Sequence, residues 1–455
     1  WAERLKDPEI RTRVKAEMQE DTDDWENLGL LAGYEKTQSK FSRRAFMKTG
    51  LMGAAAAALP GCDTSVSINI RRGLKKPIGT SDAAWENIRG QFILKRGVTY
   101  MNNASLGMPP SVVVKAVCDG YEAISREPLH GKHDLQDKIA KEVIPGLARM
   151  FGAEADEMVL TRNASEALHL QTIGLELNPG DEVIITTQEH PAGHRPWMFR
   201  KERDGIVVKE VFIPSPLESG DDVVNRLEAA VTRKTKALSF CHITRGGHRY
   251  PVKKLAAMAR DQGLLTLVDG AQAAGQFPIN LHDLGCDAYT VSLHKWILAP
   301  AGTGFLYVRK DARDRIRSAF SPGATVEAPG FDPPGTMDFP VRAAIGTALK
   351  FVNTLGLENI EKRCRTLSDY LKAGLADIKG VKLLSSPAEE TSAPGSTIFE
   401  KEGLDAMAFV PLMEERIKTH IDEHQRDGHN AIRISTHVYN TMTEIDRLLE
   451  AVATA

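Results

Sequence analysis

The chain of 455 residues is poor in several features that would fix its class at once. It has only five cysteines, Cys62, Cys118, Cys241, Cys286 and Cys364, and no two form a Cys-x-x-Cys pair. Zinc-ribbon and thioredoxin-like chemistry are therefore unsupported, and no metal site is expected. No apolar run reaches the ~20 residues that a membrane-spanning helix needs. Neither sign of charge dominates: 58 basic residues face 60 acidic ones. That balance gives no support for a nucleic-acid partner, which calls for a basic face. Internal repeats are absent, and the Ala54–Ala58 run is the one low-complexity tract. What remains is the composition of a globular protein, 42% hydrophobic and 26% charged, long enough to bury a core without disulfide or metal staples.

Residues 42–48 read Ser-Arg-Arg-Ala-Phe-Met-Lys, followed by a short, mild apolar stretch that closes at Leu59-Pro60-Gly61-Cys62. Paired arginines before such a stretch resemble a twin-arginine export signal, so residues 42–62 are expected to be an address. The alternative is a basic turn before an Ala-rich helix. Leu59–Cys62 also resembles a lipoprotein cleavage box, which would make Cys62 a lipid anchor. The expected location is periplasmic, the alternatives being a membrane-anchored lipoprotein or a cytoplasmic protein. Residues 1–41 are set outside the fold as an extension without an assigned role.

After residue 62, seven short runs rich in β-branched residues predict strands: Met158–Thr161, Glu182–Thr186, Val207–Ile213, Ala237–His242, Leu264–Val268, Ala288–Ser292 and Gly304–Val308. Helical periodicity at Ala164–Glu176, Val223–Val231 and Lys253–Gln262 separates several of them. The alternation predicts an α/β domain with a mainly parallel seven-stranded sheet sandwiched by helices. Beyond a Pro/Gly-rich passage at 329–335, helical patterns at Val341–Leu355, Glu358–Ile378 and Thr443–Ala451 surround short strands, which predicts a smaller α+β domain. The expected boundaries are 63–105 for an N-terminal segment contributing to the small domain, 106–335 for the large domain and 336–455 for the C-terminal small domain.

Four segments carry candidate chemistry. An apolar strand ends in Asp269-Gly-Ala-Gln272, and ligands of parallel sheets lie beyond the carboxyl ends of strands. An Asp there can pair with a protonated pyridine nitrogen, or it can cap a helix. A second strand ends in Ser292-Leu-His294-Lys295-Trp296, placing an amine beside two hydrogen-bonding side chains. Lysine is most often a surface residue, yet the apolar surroundings of Lys295 suit an imine-forming nucleophile. Thr161–Ala167 opens a helix with small residues, including Ala164 and Ser165, which suits either a phosphate or an ordinary N-cap. His190 follows a strand end and could stack on an aromatic ring or be merely structural.

The Asp269-to-Lys295 pair, its flanks and the order of the four segments resemble the class V aminotransferases, fold-type I pyridoxal-phosphate (PLP) enzymes. The resemblance runs from Tyr100 to the C-terminus and is nearest the isopenicillin N epimerase-like branch, related to cysteine desulfurases. It implies that Lys295 holds PLP as a Schiff base and shuttles the Cα proton, and that Asp269 faces the ring nitrogen. Gln272 would face the phenolic oxygen, and His190 would stack on the ring. Ala164, Ser165, Ser292 and His294 would hold the phosphate, and Thr244 would lie near the cofactor oxygen, although Arg245-Gly-Gly-His248 departs from the usual pattern after it. Gly335-Thr336 resembles a loop that reaches the neighbouring subunit's phosphate site, implying a homodimer with composite active sites. Arg433 would grip the substrate carboxylate, with Asn103 on the substrate side. The implied activity is transamination or epimerisation of an amino acid. A desulfurase needs a cysteine shortly before the arginine, and Lys418–Asn430 has none. A C–S lyase or cysteine desulfurase-like enzyme and a non-catalytic PLP-fold binding protein are the alternatives.

Overall fold

Seven strands make the main sheet of the computed structural model, which describes residues 78–321, 330–332 and 335–455. Residues 42–62, expected to be an export address, with Cys62, and the extension at 1–41 lie outside the described residues. The strands are β2 (Met158–Thr161), β3 (Glu182–Thr186), β4 (Val207–Val211), β5 (Thr235–Cys241), β6 (Leu265–Asp269), β7 (Ala288–Ser292) and β8 (Gly304–Val308). Their order is β2-β8-β7-β6-β5-β3-β4, and only β8 runs antiparallel to its neighbours. The parallel core strands β5 to β7 are apolar and almost entirely buried. That explains their continuous hydrophobic runs: helices cover both faces of a parallel sheet, so no side of the strand is left for polar alternation. Each fully buried aliphatic side chain there contributes about 1.5–3 kcal/mol.

The seven predicted strands all form, with ends shifted by a residue or two. Three helices without a sequence prediction fill the stretch before β2: Ser111–Arg126, Pro128–Lys138 and Ile144–Phe151. A fourth, Pro191–Asp204, begins at His190, whose Nδ1 accepts from the Ala192 amide at 3.1 Å. Pro191 suits the first helical position, where no amide is needed. An internal Pro196 and a charged sequence hide this helix from periodicity, yet it buries Trp197 and Arg200.

A four-stranded antiparallel sheet follows, ordered β12-β13-β10-β9, from β9 (Val381–Leu383), β10 (Ser396–Lys401), β12 (Asp422–Arg426) and β13 (His429–Ser435). Leu367, Leu371, Phe399, Ile432, Ile434 and Leu448 share its hydrophobic core with Met101. A two-residue parallel pairing of β1 (Thr99–Tyr100) with β11 (Thr419–His420) ties residues near 100 to this sheet. Among the described residues no helix is long and apolar enough to cross a membrane.

Candidate active site

The carboxyl ends of β5, β6 and β7 open into one cavity. Cys241 and Asp269 are register partners on adjacent parallel strands, and Asp269 pairs in turn with Thr290 on β7. Ser292 ends β7, and Lys295 follows three residues later. The cavity is lined by Ala164, Ser165, His190, Asp269, Gln272, Ser292 and Lys295, seven of the positions expected from the sequence. It is also lined by Cys241, Ile243, Arg245 and Ala271.

Asp269 accepts a hydrogen bond from the Ala271 amide at 2.9 Å. Burial raises its pKa, opposed by that amide and by the charge of Lys295. Lys295 moves the other way: burial pushes its amine down to about 8, partly opposed by Asp269. The backbone of Lys295 is clamped by the turn after β1. The Gly107 amide donates to the His294 carbonyl at 2.8 Å, and a Cβ on Gly107 would sit 1.8 Å from the Lys295 carbonyl oxygen. Only glycine lets the two backbones approach so closely. On the far side, Trp296 is fully buried, donates to Gln272 Oε1 at 2.9 Å and stacks on His437.

At the other end, Asn163 caps its helix by accepting from the Glu166 amide at 2.9 Å, and Ser292 Oγ accepts from the Ala164 amide at 2.9 Å. The Ser165 amide lies between them in the first helical turn, where no intrahelical acceptor exists. His190 opens to the cleft. Burial, then the charges of Lys295, Arg245, Arg426 and Arg433, lower its pKa to about 4, so the ring is neutral at physiological pH. Beneath it Glu189 is buried, accepts from Thr186 Oγ1 at 2.6 Å and from Cys241 Sγ at 3.1 Å, and is pushed up to about 7, chiefly by burial.

Five expected residues sit apart from the cavity lining. Thr244 spends its hydroxyl inside its own turn, accepting from the His248 amide at 3.1 Å, and its neighbours Ile243 and Arg245 face the cavity instead. Asn103 is fully buried, donating to the Lys295 carbonyl at 3.5 Å and accepting from Tyr439 at 2.7 Å. One end of its amide thus reaches the lysine turn and the other the Tyr439 hydroxyl. His294 turns Nδ1 to the Thr303 carbonyl at 3.2 Å. Thr336 is exposed and stands outside the lining of the cavity that holds Lys295. Arg433 lies buried on β13, with Nη2 on Asp422 and, at 3.4 Å, on Asn102 Oδ1.

Arg245, Cys241 and Glu189 were not anticipated as functional residues. Arg245 showed itself in the sequence only as a departure from a pattern.

The donor set fits PLP. A carboxylate stands at one end for a protonated ring nitrogen, an amine of lowered pKa stands between, and amides with a hydroxyl stand at the other end for a phosphate.

Residues 99–448 match the family model described as Aminotransferase class-V. Isopenicillin N epimerase of Amycolatopsis lactamdurans is 29% identical over 395 residues, covering 81% of this chain and 98% of the relative. A probable cysteine desulfurase of Methanothermobacter thermautotrophicus is 27% identical, covering 81% and 97%. Among solved structures, a lysine-to-alanine mutant of C-DES with glycine covalently linked to the PLP cofactor has a TM-score of 0.73 and 25% identity, covering 80% of this chain and 98% of that one. The apo cysteine desulfurase of Thermococcus onnurineus, with a TM-score of 0.72 at 22% identity over 81% and 97%, shares the fold.

Proposed function

Because the chain belongs to the class-V aminotransferase family, we propose that it is a pyridoxal 5'-phosphate enzyme acting at Cα of an amino acid, as an aminotransferase or an epimerase. The observation that carries this reading is the convergence of Lys295 and Asp269 on one cavity that ends in the helix start at Ala164 and Ser165. When bound, the cofactor supplies an electron sink for negative charge developing at Cα. Lys295 would hold it through Nζ and then move the Cα proton, a task suited to an amine brought near neutrality. Asp269 would keep the ring nitrogen protonated, and the neutral His190 would cover the ring face. Ser165 and Ser292 would hold the phosphate. Arg433 would bind the substrate carboxylate in exchange for part of its contact with Asp422.

The test is spectroscopic. The purified protein is expected to carry a visible absorption band that borohydride abolishes and that Lys295→Ala lacks. A Lys295→Ala protein with an unchanged band would end the assignment. Incubation with an amino acid and no keto acid separates the two activities. A transaminase converts its cofactor once and stops, whereas an epimerase exchanges the Cα proton with solvent deuterium and keeps its visible band.

A second reading, a C–S lyase, draws support from the likeness to C-DES. Cys241 lines the cavity, but it ends a buried strand and its thiol is raised well above the usual range by burial. Such a thiol is a poor nucleophile, so this reading needs sulfur to leave without being captured on Cys241. Pyruvate released together with sulfide from L-cysteine, or with cysteine persulfide from L-cystine, would favour it.

We further propose a homodimer, with Thr336 reaching the partner's phosphate site, and export directed by Arg43 and Arg44. Light scattering tests the first. Fractionation of cells carrying the wild type and an Arg43→Lys/Arg44→Lys variant tests the second.

A further inference from the structure

Arg245 stands at the bend after β5, on the cavity wall that also carries His190 and Lys295. Its Nη2 is held from behind by the Glu423 carbonyl at 2.8 Å, Glu423 Oε1 at 3.0 Å and Asp422 Oδ2 at 3.4 Å. Arg433 reaches the same Asp422 oxygen with its own Nη2. Two guanidinium groups, one from the β5 bend and one from β13, thus converge on a single carboxylate oxygen. They differ in depth. The Arg433 side chain is 4% exposed and its buried Nε has no partner among the described residues, whereas the Arg245 side chain is 24% exposed.

We propose that Arg245 binds a second acidic group of the substrate, so that the enzyme prefers amino acids that carry an acid in the side chain. This rests on the reading above, in which Arg433 takes the α-carboxylate beside Lys295. A guanidinium has five donors in a fixed fork, and the contacts above use only Nη2 of Arg245. Its Nη1 edge keeps N–H donors that a carboxylate oxygen can take in a charge-assisted hydrogen bond. An apolar side chain laid against that edge would strip its water and return no hydrogen bond, which is how a polar site rejects the wrong substrate. The local field favours an anion as well. Arg426, at the end of β12, bonds the carbonyls of Thr187 and Glu189, with no carboxylate hydrogen-bonded to it among the described residues, while the neighbouring Asp427, which feels its charge, bonds Gln188. The charges that act most strongly on His190 are the cations Lys295, Arg245, Arg426 and Arg433.

The experiment uses the PLP-loaded protein and reads binding from the change in its visible spectrum. The probes are L-norvaline and three acids of increasing length: L-aspartate, L-glutamate and L-2-aminoadipate. At least one acid is expected to bind about tenfold or more tightly than L-norvaline, the scale of a charge-assisted pair. In Arg245→Gln that ratio is expected to fall towards one, with Arg245→Lys keeping part of it. A wild-type ratio near one for all three acids overturns the proposal without any variant. So does a ratio that survives Arg245→Gln. A wild type with no borohydride-sensitive band fails the cofactor reading itself, whereas a band that responds equally to all four amino acids overturns the Arg245 proposal alone.

Discussion

Lys295 and Asp269 have perturbed each other's proton equilibria before any ligand arrives. Burial disfavours both charges, and each charge partly rescues the other. With the amine at about 8, its neutral fraction rises roughly tenfold between pH 7 and pH 9 and then levels off. The apoprotein is therefore expected to capture PLP faster as pH rises, with a plateau near pH 9, followed by stopped-flow growth of the visible band. A rate still climbing steeply above pH 9 would mean an ordinary lysine. Asp269→Asn is expected to keep the band and lose roughly a hundredfold in turnover, since a preorganised charge at the reacting system is worth that order. Both residues were legible in the sequence because each follows an apolar strand directly. Arg433 was legible only through resemblance, and its contact with Asp422 is a product of the β12–β13 pairing. The contacts of Asn103 were not legible, because nothing local reveals that Lys295 and Tyr439 approach it from 192 and 336 residues away.

Elements position these groups by small tolerances. The turn at Gly107 fixes the lysine backbone, and an alanine there would collide with the Lys295 carbonyl. Gly107→Ala is expected to destabilise the fold by about 1–3 kcal/mol, the usual cost of overpacking, and to weaken PLP retention. Urea unfolding and dialysis against buffer would measure the two effects. An unchanged Kd for PLP would show that the clamp is dispensable. The bend after β5 teaches a related lesson about the sequence. Thr244 drew attention as the polar residue, yet Ile243 bridges Arg249 across the turn, so 243 and 245 face the cavity and 244 faces away. A period of two decided which residues line the cavity, and composition did not. The parallel strands were plain in the sequence because burial on both faces leaves unbroken apolar runs. The Pro191–Asp204 helix was not, because its buried face is made by Trp197 and the stem of Arg200 rather than by a repeating aliphatic stripe.

For the whole molecule, buried histidines set the response to acid. His242 and His424 are lowered to about 3, and His248 and His437 to about 4, in each case chiefly by burial. Unfolded histidine titrates near 6.5. Between these values the unfolded chain binds more protons than the folded one, so stability falls as pH drops below about 6.5. Glu189 acts oppositely. It is protonated in the folded protein up to about 7, so its contribution grows as pH falls from there towards the ordinary carboxylate range. The lowered histidines, His190 and His294 among them, outnumber the raised acids Glu189, Asp269 and Asp427. The urea-unfolding free energy is expected to decline from pH 6.5 to pH 4.5, by up to about 1.4 kcal/mol per pH unit for each histidine. A flat or rising profile would show that these rings are not neutral and enclosed. The indole wedged between His437 and the Gln272 amide belongs to the residue immediately after Lys295. It is thereby a built-in optical gauge: cofactor loading within transfer range should dim Trp296 emission, so occupancy can be followed in unlabelled protein before any substrate is known.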